Sequence, residues 1–354
     1  MPALLGTEDV VGAAPRRRGA GGLLLVVAGL AAVVLSIAGA ITLGPADVSL
    51  VNIRDVLLNH VGLADVPVRA VKDAIVWEER LPRALTAAAC GAGLGVCGAV
   101  LQALLHNPLA DPFLLGISSG ASTGAVVIGV LGLGGSVLGL SGGAFVGALL
   151  AFGLVVLLAG LSGGGTDRVI LAGVAGTQFF SALTSFVIFA FADSDETRGV
   201  MFWLLGSLEG VRWDDVVLCA AVVCAGTVWC LRQTHALDAF SFGDDVADSL
   251  GIHVTRTRML LLALTAVITA TLVSIAGAIG FVGLVLPHAA RFLVGPRHAR
   301  LLPATVLVGA VFMVWVDAVS RVAFQPTPLP VGVGTALIGV PAFVLILLRR
   351  RRVL

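Results

Sequence analysis

Charged side chains are scarce in this sequence. Lysine and arginine number 22 and aspartate and glutamate 21, together 12% of 354 residues. A water-soluble domain carries about 25%, so that class is excluded. The formal net charge of +1 offers nothing to attract a nucleic acid. There is one lysine, Lys72, and it follows Val71. The phosphate loop G-x-x-x-x-G-K-[ST] needs glycine there, so the chain cannot hold one. If transport is driven by ATP, the ATPase is another polypeptide.

Cysteine is also sparse. Cys90, Cys97, Cys219, Cys224 and Cys230 fall in apolar runs without the spacing of a zinc site. They read as small buried hydrophobes, with no disulfide framework. His60, His106, His235, His253, His288 and His298 are scattered, and none pairs with a second ligand at helical spacing. No metal or haem site is expected. Gly116-Ile117-Ser118-Ser119-Gly120 matches the nucleophile-elbow pattern. That elbow needs a preceding strand and His and acid partners; here the serines begin an apolar helix.

What remains is apolar: 58% of residues are hydrophobic and the mean hydropathy is +1.05. A bilayer core about 30 Å thick takes about 20 helical residues. The runs predict an all-α, polytopic membrane protein of about ten spans, near 21–43, 81–105, 113–131, 138–161, 169–192, 216–231, 259–279, 281–294, 301–319 and 331–348. The first follows Arg16-Arg17-Arg18, and Ala38-Gly39-Ala40 resembles a cleavage site. Its apolar length exceeds the 7–15 residues of a signal peptide, so it is read as a retained helix. The domain division is a tail (1–20), a transmembrane domain (21–349) and a second tail (350–354), with polar segments at 44–80 and 232–256. The piece Val200–Leu208 is too short to span and reads as a re-entrant or interfacial helix.

Arginine sets the orientation. With both termini inside, the inner segments hold fourteen basic residues and the outer ones eight. Positive charge favours the cytoplasmic side.

The stretch from Arg80 to Thr123 organises the chain. Arg80 and Arg83 open a glycine-rich span, and Asn107-Pro108-Leu109-Ala110-Asp111-Pro112 breaks it at the other membrane face. Asp317 and Arg321 are four apart near the end of the ninth span, spacing that favours an ion pair. Arg80, Arg83 and Arg321 read either as solvated anchors or as an external basic site able to grip carboxylates; spacing leaves both open. The glycine pairs Gly91/Gly95, Gly173/Gly176 and Gly277/Gly280 permit close helix approach. In His235–Thr255, short apolar and acidic pieces alternate around Gly243 and Gly251. Two short helices joined by a turn are predicted. Pattern alone leaves open a solvated loop or a docking element for a cytoplasmic partner.

Together these segments resemble one family, the permease subunits of the iron-siderophore, haem and cobalamin ABC importers (the type II importers). The resemblance runs from Trp77 to Arg349. It is carried by Arg80-Leu81-Pro82-Arg83, Gly98-Ala99-Val100-Leu101-Gln102, the Asn107–Pro112 turn, Leu171-Ala172-Gly173-Val174-Ala175, Trp203 with Gly206-Ser207-Leu208, and the stretches GDDVADSLG, GAIGFVGLVLPHAAR and LPVGVGTALIGVPAF. It implies ten helices, a second permease subunit in a homo- or heterodimer, two cytoplasmic ATPase subunits, an external binding protein and an inner (plasma) membrane location among lipid. It implies no cofactor in this chain, ATP and magnesium belonging to the ATPase subunits. Arg80, Arg83 and Arg321 match the positions that dock the binding protein. Asn107, Leu109 and Thr166 match the cytoplasmic gate. Gly243, Asp244, Ala247, Leu250 and Gly251 match the helices that couple to the ATPase. A ferric siderophore is the expected cargo, with haem or cobalamin as alternatives. The family usually has Glu-Leu-Pro before the last helix; here Pro328 replaces the acid, which raises the expectation of a heterodimer whose other permease keeps it. The rival class is an ion-coupled secondary transporter. That class needs ionisable groups at the membrane midplane, whereas here they cluster at helix ends.

Overall fold

The computed structural model describes residues 20–132, 135–324 and 327–350. Both expected tails lie almost wholly outside the described residues. The described chain is helical, without strands. In chain order the helices are α1 (Ala20–Thr42), α2 (Leu50–His60), α3 (Ala70–Ala74), α4 (Leu81–Leu104), α5 (Ile117–Leu131), α6 (Gly135–Leu161), α7 (Thr166–Phe191), α8 (Ser194–Leu204), α9 (Trp213–Arg232), α10 (Thr234–Phe240), α11 (Asp244–Ser249), α12 (Val254–Ala276), α13 (Val282–Val294), α14 (His298–Val322) and α15 (Val331–Arg350). A π turn (Ile75–Arg80) leads into α4 and a 3-10 turn (Pro112–Leu115) into α5. Among the described residues, seven helices are long and apolar enough to cross a membrane, and α5, α13 and α15 are shorter apolar helices. Together they account for the ten expected spans. The short helix expected at Val200–Leu208 forms earlier, as α8.

α4 is the axis of the bundle. Of its 24 residues only Leu85, Ala88 and Ala89 escape full burial. A helix that length spans about 36 Å at about 1.5 Å per residue. Small residues let its neighbours reach it. A Cβ on Gly91 would strike the Gly309 carbonyl of α14, and one on Gly98 the Gly283 carbonyl of α13. Gly93 receives Leu272 of α12 and Val223 of α9. The pairs Gly120/Gly124 and Gly143/Gly147 bring α5 and α6 into similar contact. Lipid tails are as apolar as leucine, so packing of this kind holds membrane helices together in place of a hydrophobic drive.

The opposite logic governs the periphery. α1, α6, α7 and α9 leave Leu35, Leu150, Phe189 and Val217 on the outside. Such faces suit hydrocarbon, not water.

Candidate functional site

Two built clusters lie at the two ends of α4. At its start, Arg80 points its Nη1 at the Ile41 carbonyl and its Nη2 at the Ala46 carbonyl, each 2.7 Å away. Arg83 donates from Nε to Asp317 Oδ1 at 2.8 Å. Arg321 donates from Nη2 to the Ala40 carbonyl at 3.0 Å, and its Nε lies 3.2 Å from Asp317 Oδ2. The expected Asp317–Arg321 pair is therefore present, and Arg83 joins it. The three arginines do come together, but they are 3%, 7% and 8% exposed. Each donates at least one hydrogen bond to its own chain, and none is an exposed rim anchor.

Beside them opens a cavity of about 890 Å³. Arg83, Arg321 and Pro328 form part of its wall. Exposed Glu78, Glu79, Glu209 and Arg212 complete its charged lining. The cavity is amphoteric, not basic. Sequence reasoning missed this because the acids come from two separate segments, and only folding places them beside the guanidiniums. Trp213 fastens the same rim: its Nε1 donates to the Trp77 carbonyl at 3.0 Å, and the rings lie 4.7 Å apart.

At the other end of α4 the chain turns sharply. His106 adopts φ 48°, a left-handed conformation unusual without glycine. Asn107 Oδ1 accepts the Leu109 N–H at 2.9 Å, and the Asn107 carbonyl accepts the Ala110 N–H at 3.0 Å. This Asx-type turn explains the Asn-Pro sequence. Leu109 is half exposed. Asp111 Oδ1 takes the Phe113 N–H at 2.9 Å, and burial pushes its carboxyl up to about 6 against the pull of that bond. Thr166 opens α7 after Gly165; among the described residues no hydrogen bond or ion pair joins it to the Asn107 turn.

The predicted pair of short helices is α10 and α11. Gly243, at φ 116°, makes the corner between them, a conformation that disfavours any side chain. Ala247 faces inward and is fully buried, whereas Leu250 is 67% exposed. Phe242, which the sequence reading passed over, is 79% exposed. Asp238 of α10 accepts the His298 N–H at 2.9 Å and contacts His298 Nδ1 at 2.7 Å. This pins α10 to the start of α14.

Between the two ends α4 carries no charged side chain. Gln102 Oε1 accepts from Arg291 Nη1 at 2.6 Å close to the second rim. Among the described residues no group of His, Cys, Asp and Glu is arranged to hold a metal ion.

Comparison with known proteins agrees with this architecture. A sequence model of the FecCD transport family matches residues 24–349. The cobalamin import system permease protein BtuC of Halobacterium salinarum is 45% identical over 281 residues, covering 79% of this chain and 74% of that protein. The iron(3+)-hydroxamate import system permease protein FhuB of Bacillus subtilis is 33% identical over 334 residues, covering 94% of this chain and 85% of that one. A solved inward-facing conformation of a metal-chelate type ABC transporter superposes with a TM-score of 0.81 at 29% identity, over 92% of this chain and 99% of that one. On sequence and fold together, this chain is a multi-pass membrane permease that belongs to the FecCD transport family.

Proposed function

We propose that this permease moves a bulky metal chelate inward through a dimer, driven by separate ATPase subunits and fed by an external binding protein. The carrying observation is the placement of two dissimilar built rims at the ends of one buried helix, α4, with an uncharged stretch between them. An ion-coupled transporter needs charge at that depth. The rim of Arg80, Arg83 and Arg321 is the outer one in this reading. The binding protein seats over the amphoteric cavity, with the buried arginines shaping its floor and exposed Arg212 and the glutamates meeting the partner. The rim of Asn107, Leu109 and Thr166 is the cytoplasmic gate. Gly243, Asp244, Leu250 and Gly251 form the ATPase seat, with buried Ala247 holding α11 from within, and both termini are cytoplasmic in an inner membrane.

For the cargo, the greater identity to a cobalamin permease, 45% against 33% for the hydroxamate permease, favours a corrinoid. The ferric siderophore is the second reading, supported by the longer match to the hydroxamate relative. Uptake of labelled cyanocobalamin and of a labelled ferric hydroxamate separates them in cells that carry this permease as their sole member of the family. Uptake of cyanocobalamin alone, abolished by inactivating the ATPase, is expected. Uptake driven by an ion gradient without the ATPase would sink the proposal.

A further inference from the structure

Three segments meet on one carboxylate at the second rim. Asp244, the first residue of α11, pairs through Oδ1 with Arg258 Nη2 near the start of α12. The same oxygen lies 3.8 Å from Nε2 of His106, the residue that begins the turn after α4. The Arg258 guanidinium also lies 5.5 Å from the centre of the fully buried Phe240 ring of α10, within cation–π range. Arg258 is thus held by both short helices, while Asp244 alone also reaches the turn. His106 needs its left-handed backbone to get there.

The geometry points to Asp244 as a relay, and to His106 and Arg258 as the positioning residues on its two sides. When α10 and α11 shift, the Arg258 contact carries the motion into α12 and the His106 contact carries it into the Asn107–Ala110 turn. A shift of an ångström or two is enough to break this contact, because at 3.8 Å it already stands at the edge of side-chain reach. The turn is then released from the helices that held it. This inference rests on the proposed function, in which the ATPase presses on α10 and α11, and it adds the residues through which the push reaches the gate.

The test reads the turn directly in the complete complex. Leu109→Cys, at a half-exposed position, reports the turn through its labelling rate with a membrane-impermeant maleimide in inverted vesicles, with and without ATP. In the Leu109→Cys parent, ATP changes that rate. His106→Asn keeps a side chain that tolerates the left-handed backbone but removes the ring nitrogen that faces Asp244. It is expected to reduce the ATP-dependent change about tenfold, the scale of one lost coupling between contacting groups, while ATP hydrolysis continues. His106→Arg is expected to restore it. Full ATP dependence in His106→Asn overturns the relay, as does a loss matched by equal loss of ATP hydrolysis. If the unmutated complex neither binds nor needs an ATPase, it is the proposed function that has failed.

Discussion

Asp317 of α14 accepts from Arg83 of α4 across 2.8 Å while its other oxygen faces Arg321 at 3.2 Å. One carboxylate, 1% exposed, thus answers two buried guanidiniums. Pro328 lines the same cavity, at the position where the family resemblance leads one to expect a glutamate. Among the described residues Asp317 is the carboxylate in direct contact with this pair, while the glutamates of the cavity stay exposed.

Asp317→Asn should therefore be severe. It keeps the shape but removes the one carboxylate in direct contact with Arg83 and Arg321. Removing one partner of a buried pair costs about 3–5 kcal/mol. The thermal midpoint of the detergent-solubilised protein should fall sharply, against no change for a matched substitution at exposed Asp214. An unaltered midpoint would mean that water already screens this cluster.

Gly98→Ala tests the packing of α4. The added methyl meets the Gly283 backbone, which cannot move aside like a flexible side chain. Overpacking of this kind costs about 1–3 kcal/mol, occasionally more. Gly153→Ala has open space around its new methyl and serves as the control. Equal expression and equal midpoints for the two would contradict the close α4–α13 contact.

Asp111 sets a pH dependence. Its folded carboxyl titrates at about 6, above the usual 3.8, because burial penalises the charge. The folded state then holds a proton that the unfolded state has already lost. Stability falls as pH rises from about 4 to about 6, and the benefit is full only below that window. Asp111→Asn, which can still accept the Phe113 N–H, should flatten this part of the stability profile and raise the midpoint at pH 7. A profile identical to that of the parent would remove Asp111 from the account.

Phe242→Asp and Leu250→Asp test the ATPase seat without disturbing the fold. Both side chains are largely exposed, so the isolated permease should keep its midpoint. Co-purification of the ATPase should drop severalfold, because the apolar anchors of an interface carry much of its binding energy. Normal recovery of the ATPase would place its seat elsewhere.

The sequence by itself determined that this chain crosses a membrane many times, where each span lies, that α4 with the break after it is the organising segment, and that Gly243 and Gly251 punctuate two short helices. Those conclusions rest on local quantities: apolar length, glycine and proline placement, and spacing within one helix, as with Asp317 and Arg321. The tertiary structure alone decided that Arg80, Arg83 and Arg321 are buried and bonded to their own chain, that acids from two segments turn their cavity amphoteric, and that His106 and Arg258 share the Asp244 carboxylate. Arg83 and Asp317 are 234 positions apart, and no periodicity reaches across such a gap. A charge at a helix end looks the same in sequence whether water or a partner receives it. Only the packing of α4 against α13 and α14, through glycines that admit a backbone where a side chain would stand, settles which one does.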